Sequence, residues 1–487
     1  MRAAWRLTPF GNLGCSRSLF RRFASTSTLP PTIRQLLQTD VSNQPTRVEV
    51  NGWVKSVRKQ KKIAFAAITD GSSQQPLQAV FTNVELAKSL TNGACVRLQG
   101  VLSASPGRGQ DKEIQVDAVE CLGECDPNDY PIQKQDLSVE YLRDHCHLRA
   151  RTPRMASMLR LRDQTQQALH DHFKTEDFTY VHTPILTAND CEGAGETFRI
   201  APSSHTTSPD QRAADTEEEF FGRAAYLTVS SQLHLEALAT SISRVYTLSP
   251  CFRAERSQTG RHLSEFWMLE AEWAFTRNVS DVCRVVEGAV KSALQQRSED
   301  LGFLRQSLDD SRRSFLEDTA NSQKPWDMVS YGDAVKELEK YQAATRKFHY
   351  EPKWGEPLHS EHERWVSEQL VKGPVFVTDY PSSLKPFYMR INEDGRTVAC
   401  FDLLVPYLGE LVGGSLREER HDVLLKNLKT HNLDPEEFSW YLDLRKYGGA
   451  PHGGFGLGFD RLIQWISGIE NIRECIPMPR YAGRMLL

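Results

Sequence analysis

Between Cys251 and Glu272 the chain reads CFRAERSQTGRHLSEFWMLEAE. An arginine and a glutamate lie on the strand-like stretch Phe252-Arg253-Ala254-Glu255. A polar loop follows with Arg261 and His262, and the return stretch from Glu265 to Glu272 alternates carboxylates with large apolar groups. A period of two on both arms predicts a β-hairpin. Such a hairpin can hold a nucleoside triphosphate. A guanidinium fork grips phosphate, an aromatic face takes the base, and loop cations offset the distal phosphates. The stretch FGLGFDRL at 455–462 adds another arginine, Arg461, and strengthens this reading.

These residues need elements to hold them. From Arg154 to Lys174, the positions Met155, Met158, Leu159, Arg162, Leu169 and Phe173 approximate helical spacing. A strand is expected from Phe178, ended by Pro184. Strands are also expected at Tyr226–Val229, Val245–Leu248, Phe266–Glu272, Val375–Thr378, Thr397–Val405 and Gly453–Phe459. Helical patterns intervene at Ser280–Gln296, His359–Val371, Arg417–His431 and Arg461–Ser467. The class is α+β, a catalytic domain over 154–487 around a mostly antiparallel β-sheet flanked by helices. The polar stretch 202–219 reads as an insertion. No glycine-rich phosphate loop and no GxGxxG opening a helix is present, which excludes P-loop and dinucleotide-binding readings.

Ahead of this domain, short strands at Thr46–Val54, Ile63–Thr69, Leu77–Phe81, Ala94–Val101 and Glu113–Cys121 predict a five-stranded OB-type barrel within 29–122. Such barrels bind single-stranded nucleic acid on a face with aromatics and nearby cations. Phe65 and the basic turn Lys55-Ser-Val-Arg-Lys-Gln-Lys-Lys62 fit that role, although alternation alone also allows a buried Phe65. Residues 123–153, with Pro127, Pro131 and Pro153, read as a linker.

A chain of 487 residues is long enough for two or three domains. No apolar run approaches the roughly 20 residues that span a bilayer, so no membrane partner is expected. The net charge of −4 argues against indiscriminate coating of a polyanion. The ten cysteines show no framework; Cys121 and Cys125 with His145 and His147 lack the ligand spacing of a zinc site, and free thiols are expected. Residues 1–39 carry six arginines and neither Asp nor Glu, with dense Ser and Thr and no uninterrupted apolar core. That composition predicts a mitochondrial transit peptide over 1–28 and residence in the matrix.

The helix ending in a strand at Pro184, the 251–272 hairpin and Gly456–Leu462 together resemble the three signature motifs of class II aminoacyl-tRNA synthetases. The barrel resembles that of the aspartyl, asparaginyl and lysyl subclass, and the likeness runs from about residue 46 to the C-terminus. Within the subclass the detail is similar to the asparaginyl members. The stretches that carry it are Cys191–Phe198, Asp379–Arg390, Gly409–Arg420 and Gly468–Arg480, beside the hairpin.

The resemblance implies activation of asparagine with ATP and Mg2+, transfer of the acyl group to tRNA(Asn), and a homodimer built through the first motif. It implies that Arg253 bridges the amino acid carboxylate and the α-phosphate, and that Arg461 holds the γ-phosphate. Glu410 would hold magnesium, with Asp402. Phe266 would stack on adenine, with Glu255 near its amine, Arg261, His262 and Leu263 over the distal phosphates, and Gly458 in the ATP site. Glu192 would meet the α-ammonium, with Ser230, Gln232 and Glu270 lining the pocket and Arg417 facing the side-chain carbonyl. Phe65 and Gln78 would take the middle anticodon base. Aspartyl members carry a lysine where this chain has Leu235, followed by Glu236; a missing cation and an acceptor favour a neutral amide. Ser231 and Arg256 depart from the pattern, standing where a glycine and a small amide are usual. An aspartyl enzyme and a non-catalytic nucleic-acid-binding relative stay open as alternatives. An amide-forming ligase is disfavoured by the barrel.

Overall fold

The computed structural model describes residues 29–487 except 42–44, 108, 189–196, 201–219 and 258. The expected leader, the insertion and Glu192 lie outside the described residues. The chain divides into two compact units, one up to Gln133 and one from Lys134 onward.

In the first unit a short helix, α1 (Ile33–Gln38), starts with a capping box in which Thr32 and Gln35 satisfy each other's backbone donors. Five strands follow: β1 (Thr46–Lys59), β2 (Ala64–Thr69), β3 (Leu77–Phe81), β4 (Cys95–Ala104) and β5 (Lys112–Gly123). They close into a barrel in the order β1-β2-β3-β5-β4, with β3 and β5 parallel and the other pairs antiparallel. Alternation fills it: Ala64, Ala66 and Ile68 of β2 are buried inside with Leu77, Ala79 and Phe81 of β3. Phe65 therefore faces outward and is half-buried. It stands opposite Arg58, while Gln78 stands opposite Ala67, so Phe65 and Gln78 are diagonal neighbours on one outer face.

The second unit opens with α2 (Val139–Asp144) and a 3-10 turn at Arg149–Arg151, where the sequence reads as linker. Then α3 (Pro153–Thr175) runs with Thr152 as N-cap and proline in its first turn, a position that needs no amide hydrogen. Its buried stripe includes Met158, Leu161, Leu169 and Phe173. Phe173 stacks on Tyr246 at 4.6 Å between ring centroids. Truncating Phe173 to alanine costs about 3–5 kcal/mol by the cavity it leaves.

The strand expected from Phe178 to Pro184 is shorter than read. Only β6 (Thr179–Tyr180) pairs with the main sheet, and β7 (Leu186–Thr187) joins β8 (Arg199–Ile200) and β9 (Ala225–Leu227) in a small separate sheet. Between Tyr180 and Leu186, Pro184 has no amide to offer a ladder. After α4 (Gln232–Ile242) come the arms of the hairpin, β10 (Arg244–Phe252) and β11 (Glu265–Ala274). Next are α5 (Val279–Leu294), α6 (Glu299–Leu304), α7 (Asp310–Asn321), β12 (Asp327–Ser330), α8 (Tyr331–Thr345) and α9 (Ser360–Trp365). The chain continues through β13 (Val375–Thr378), β14 (Cys400–Val405), β15 (Gly409–Leu416), α10 (His421–Thr430), α11 (Ser439–Lys446), β16 (His452–Gly458) and α12 (Phe459–Ser467).

The main sheet has eight strands in the order β12-β13-β14-β15-β16-β11-β10-β6. It is antiparallel except for its two outermost pairs, β12–β13 and β10–β6. α3, α5 and α12 share one buried core with the sheet. The helix expected from Arg417 begins at His421 instead. Arg417 continues the path of β15 because its guanidinium is buried in an ion pair with Glu272 of β11, two strands away in the same sheet, which a helical turn there would break.

Candidate active site

The sheet centre carries two adjoining cavities of about 190 Å³ each. Both are lined by Arg253, Met268, Glu410 and Gly456. Arg253 directly follows β10, and its backbone N–H donates to Ser264 O at 3.0 Å, closing the mouth of the hairpin. Its guanidinium carbon stands 5.5 Å from the centroid of Phe266, with one terminal nitrogen 3.9 Å from Glu255.

One cavity gathers the residues expected around a nucleotide. Glu255, Arg261, His262, Leu263, Phe266, Gly458 and Arg461 all line it. Arg461 sits in the first turn of α12 and donates to Glu410 O at 3.1 Å. Arg261 donates to Leu408 O. His262 is held by the hydroxyls of Ser257 at 2.9 Å and Thr259 at 2.6 Å, and its burial lowers its basicity. Leu263 is buried against Ile472 and Ile476 and serves as the anchor of the loop.

The other cavity is walled by Ser230, Gln232, Leu235, Glu270, Glu272 and Arg417. Glu270 accepts from the Ser230 hydroxyl and from Ser231 N at 2.8 Å, and burial pushes its carboxyl upward. Glu272 accepts from Arg417 at 2.9 and 3.2 Å. Space for Glu272 depends on Gly454, where an added Cβ would fall 2.1 Å from its Oε2. The Tyr388 ring lies 5.4 Å from the Arg417 guanidinium carbon.

Glu236 corrects an expectation. It lines neither cavity and offers no available acceptor. One oxygen accepts from Gln232 at 3.0 Å; the other faces Tyr441 at 2.7 Å, Arg445 at 2.7 Å and His452 at 2.9 Å. Burial alone would push its carboxyl up, but Arg445 and His452 hold it well below the usual carboxylate range. Lying one helical turn beyond Gln232, Glu236 fixes that side chain from behind.

Asp402 also differs from expectation. It pairs with Lys385 at 2.7 and 2.8 Å, so a cation already occupies its oxygens. A third carboxylate, Glu363, joins Glu410: its Oε2 accepts from Glu410 N at 3.3 Å. Burial, then the charges of Glu410 and Asp402, push Glu363 up to about 7. A Cβ placed on Gly413 would sit 3.4 Å from Glu410 Oε1 and 3.6 Å from Asp402 Oδ1. That space between hard oxygen donors fits a divalent cation, which would join Lys385 and Arg461 in balancing these carboxylates. The one His/Cys/Asp/Glu triad among the described residues with ligand atoms within 4.8 Å of one another is Glu236, Glu272 and His452. Arg417 and Arg445 already balance it, so it is an ion-pair network. Cys121 and Cys125 are free thiols.

Sequence reasoning missed Glu363, Lys385 and Glu272 as wall or cation-site residues. Lys385 and Glu272 lie inside stretches that carried the resemblance, but nothing local marks them. Glu363 lies on α9, within a stretch read only as a helical pattern. Ser231 finds its explanation in a buried hydroxyl chain: Thr183 donates to it at 2.8 Å and Ser249 stands 3.1 Å away. Arg256 is exposed, and nothing in the structure explains its choice.

Comparison with known proteins adds independent findings. Residues 138–482 match the family model described as tRNA synthetases class II (D, K and N), and residues 48–122 match the OB-fold nucleic acid binding domain. An asparagine–tRNA ligase of Thermosynechococcus vestitus is 44% identical over 447 residues, 90% of this chain and 96% of that protein. One from Legionella pneumophila is 44% identical over 466 residues, 93% and 98% of the two chains. The crystal structure of asparaginyl-tRNA synthetase from Pyrococcus horikoshii complexed with asparaginyl-adenylate is similar at TM-score 0.80 and 30% identity, covering 94% of this chain and all of that one.

Proposed function

Because this chain belongs to the class II tRNA synthetases of the D, K and N group, and within it to the asparagine–tRNA ligases, we infer that its two cavities divide that reaction between them. The chain activates asparagine with ATP and joins it to tRNA. The observation that carries the division is the placement of Arg253, the cation that faces both cavities.

In the first step the asparagine carboxylate attacks the α-phosphorus of ATP. An O–P bond forms, the bond to the β-phosphate oxygen breaks, and pyrophosphate leaves. Phosphoryl transfer of this kind needs positioning and charge stabilisation more than a protein nucleophile. Arg253 spans the carboxylate and the α-phosphate, a bidentate task for which a point-charge lysine is ill suited. Phe266 takes adenine with Glu255 at its amine, and Arg461, Arg261 and His262 take the distal phosphates. Glu410, with Glu363 beside it, would hold Mg2+, which when bound offsets phosphate charge. In the second step a terminal ribose hydroxyl of tRNA attacks the activated carbonyl and AMP leaves.

In the asparagine cavity Ser230, Gln232 and Glu270 hold the amino acid, and Glu192 is the ligand the family resemblance assigns to its ammonium. Arg417 faces the side-chain carbonyl. Its charge is already balanced by Glu272, and Leu235 offers no second cation, so an aspartate side chain would meet no free counter-charge. A neutral amide suits this wall. Pyrophosphate exchange with each amino acid tests the assignment: exchange with asparagine is expected to exceed that with aspartate by more than about 1,000-fold. Equal or greater exchange with aspartate would overturn it.

Three further readings belong to the same proposal. Phe65 and Gln78, with Arg58 beside them, bind the anticodon; a Phe65→Ala variant with unchanged tRNA charging would refute this. The chain acts as a homodimer. The support is an exposed apolar face at Tyr180, Ile185, Leu186 and Ile242, next to the edge strand β6; a monomeric mass in light scattering at assay concentration would refute it. The arginine-rich leader directs the chain to the mitochondrial matrix, and a fluorescent protein carrying residues 1–39 that stays cytosolic would count against that.

A further inference from the structure

The C-terminal segment from Asn471 to Arg484 is gripped from two sides. On one side stand residues that open the catalytic unit. Arg149 is fully buried. It donates to Pro477 O at 2.8 Å, to Glu474 at 3.2 Å, to Arg473 O at 3.0 Å, and to Ile476 O. Arg143 donates to the other oxygen of Glu474 at 2.7 Å, and Arg484 pairs with Asp144. The segment's regular structure is a 3-10 turn over Ile472–Glu474. The arginine forks thus satisfy carbonyls that a longer helix would otherwise satisfy for itself.

On its other side the same segment holds the ATP loop. Ile472 N donates to Gly260 O at 3.0 Å, and Ser264 N donates to Arg480 O at 2.7 Å. Arg473 donates to Thr259 O at 3.2 Å. Leu263 packs on Ile472 and Ile476. The loop between Ser257 and Ser264 lies outside the β10–β11 ladder, so this wall sets its position.

We propose that Arg143 and Arg149 are positioning residues for ATP: by clamping 473–477 they fix the loop that carries Arg261 and His262. The inference rests on the reading of those two side chains as phosphate ligands. A shift of residues 139–151 is then transmitted to the loop cations and leaves the asparagine wall, built on the sheet and α4, in place. At Arg149 arginine suits the task because one planar fork reaches several fixed acceptors, which an ammonium cannot, whereas Arg143 meets this segment at Glu474.

Pyrophosphate exchange on the full chain tests this, with KM for ATP and for asparagine measured separately. Arg143→Gln is expected to raise KM for ATP about fivefold or more while KM for asparagine stays within about twofold. Arg143→Lys, which keeps the charge facing Glu474, recovers most of the loss. Glu474→Gln is expected to show the same ATP-selective rise and carries the test should Arg143→Gln fail to fold, as judged by circular dichroism at the assay temperature. An unchanged KM for ATP in the folded variants, or an equal rise in both constants, overturns the proposal. Arg261→Ala separates the premise: if it too leaves KM for ATP unchanged, the reading of the loop cations fails. If it raises KM for ATP while the clamp variants do not, the clamp alone fails.

Discussion

On the asparagine side of Arg253 the charged walls are buried and paired: Glu272 with Arg417, Glu270 with the Ser230 hydroxyl and Ser231 N, and Glu236 behind Gln232 with Arg445 and His452. On the ATP side His262, Arg253 and Arg461 keep about a third of their side-chain surface exposed and sit on a loop, a strand end and a helix start. The first wall is made of sheet and helix; the second is completed by a loop braced from outside. Discrimination between two amino acids that differ by one polar group needs donors and acceptors that cannot rearrange. A triphosphate, by contrast, has to enter with its charges and leave as pyrophosphate, so its ligands need reach and exposure more than rigidity.

Breaking the shared element has the largest expected effect. Arg253→Ala is expected to lower exchange by roughly 1,000-fold or more, because it removes charge stabilisation from both reactants at once. Chain stability measured by urea unfolding is expected to change little, since the guanidinium is about one-third exposed. Exchange within tenfold of the parent would detach Arg253 from the chemistry.

Next comes the rigid wall. Arg417→Met leaves Glu272 buried without its cation, so a stability loss of about 3–5 kcal/mol is expected, together with loss of asparagine binding. A variant that binds asparagine normally would show the buried pair to be structural only. Arg461→Met, on the ATP side, is expected to raise KM for ATP about tenfold with stability unchanged and KM for asparagine unmoved. If the Arg461 and Arg417 variants gave the same pattern, the contrast between the two walls would fail.

The smallest expected effect is a slope. Glu363 has a folded-state pKa of about 7, raised by burial and by Glu410 and Asp402 above its ordinary value. Between that ordinary value and about 7 the folded chain binds more protons than the unfolded one, so stability falls as pH rises through this window. In metal-free buffer, Glu363→Gln is expected to flatten that part of the stability–pH curve. An unchanged slope would place the charge strain elsewhere.

The ATP side was the more legible in the sequence. Arg253, Glu255, Phe266 and the loop cations share one hairpin, whose period of two announces both the fold and the side-chain directions. Glu236 misled because it directly follows Leu235, the position where aspartyl members carry a lysine, yet no local signal tells that α11 and the start of β16 fill the space beyond it. The same limit concealed Glu363 and Lys385, whose partners lie more than a dozen residues away in other elements. Arg417 was read into a helix because its neighbours have helical composition; the tertiary ion pair with Glu272 overrode that local preference. The barrel alternation placed Phe65 outward only once its register with Arg58 and Gln78 was fixed.

The position of Arg253 between the cavities has a thermodynamic corollary. One guanidinium that meets both reactants makes each the effector of the other. A carboxylate arriving on one side changes the potential felt by a phosphate on the other, so the two affinities cannot be independent. By reciprocity, whatever factor ATP applies to asparagine binding, asparagine applies to ATP, and loss of this single side chain drives that factor towards one.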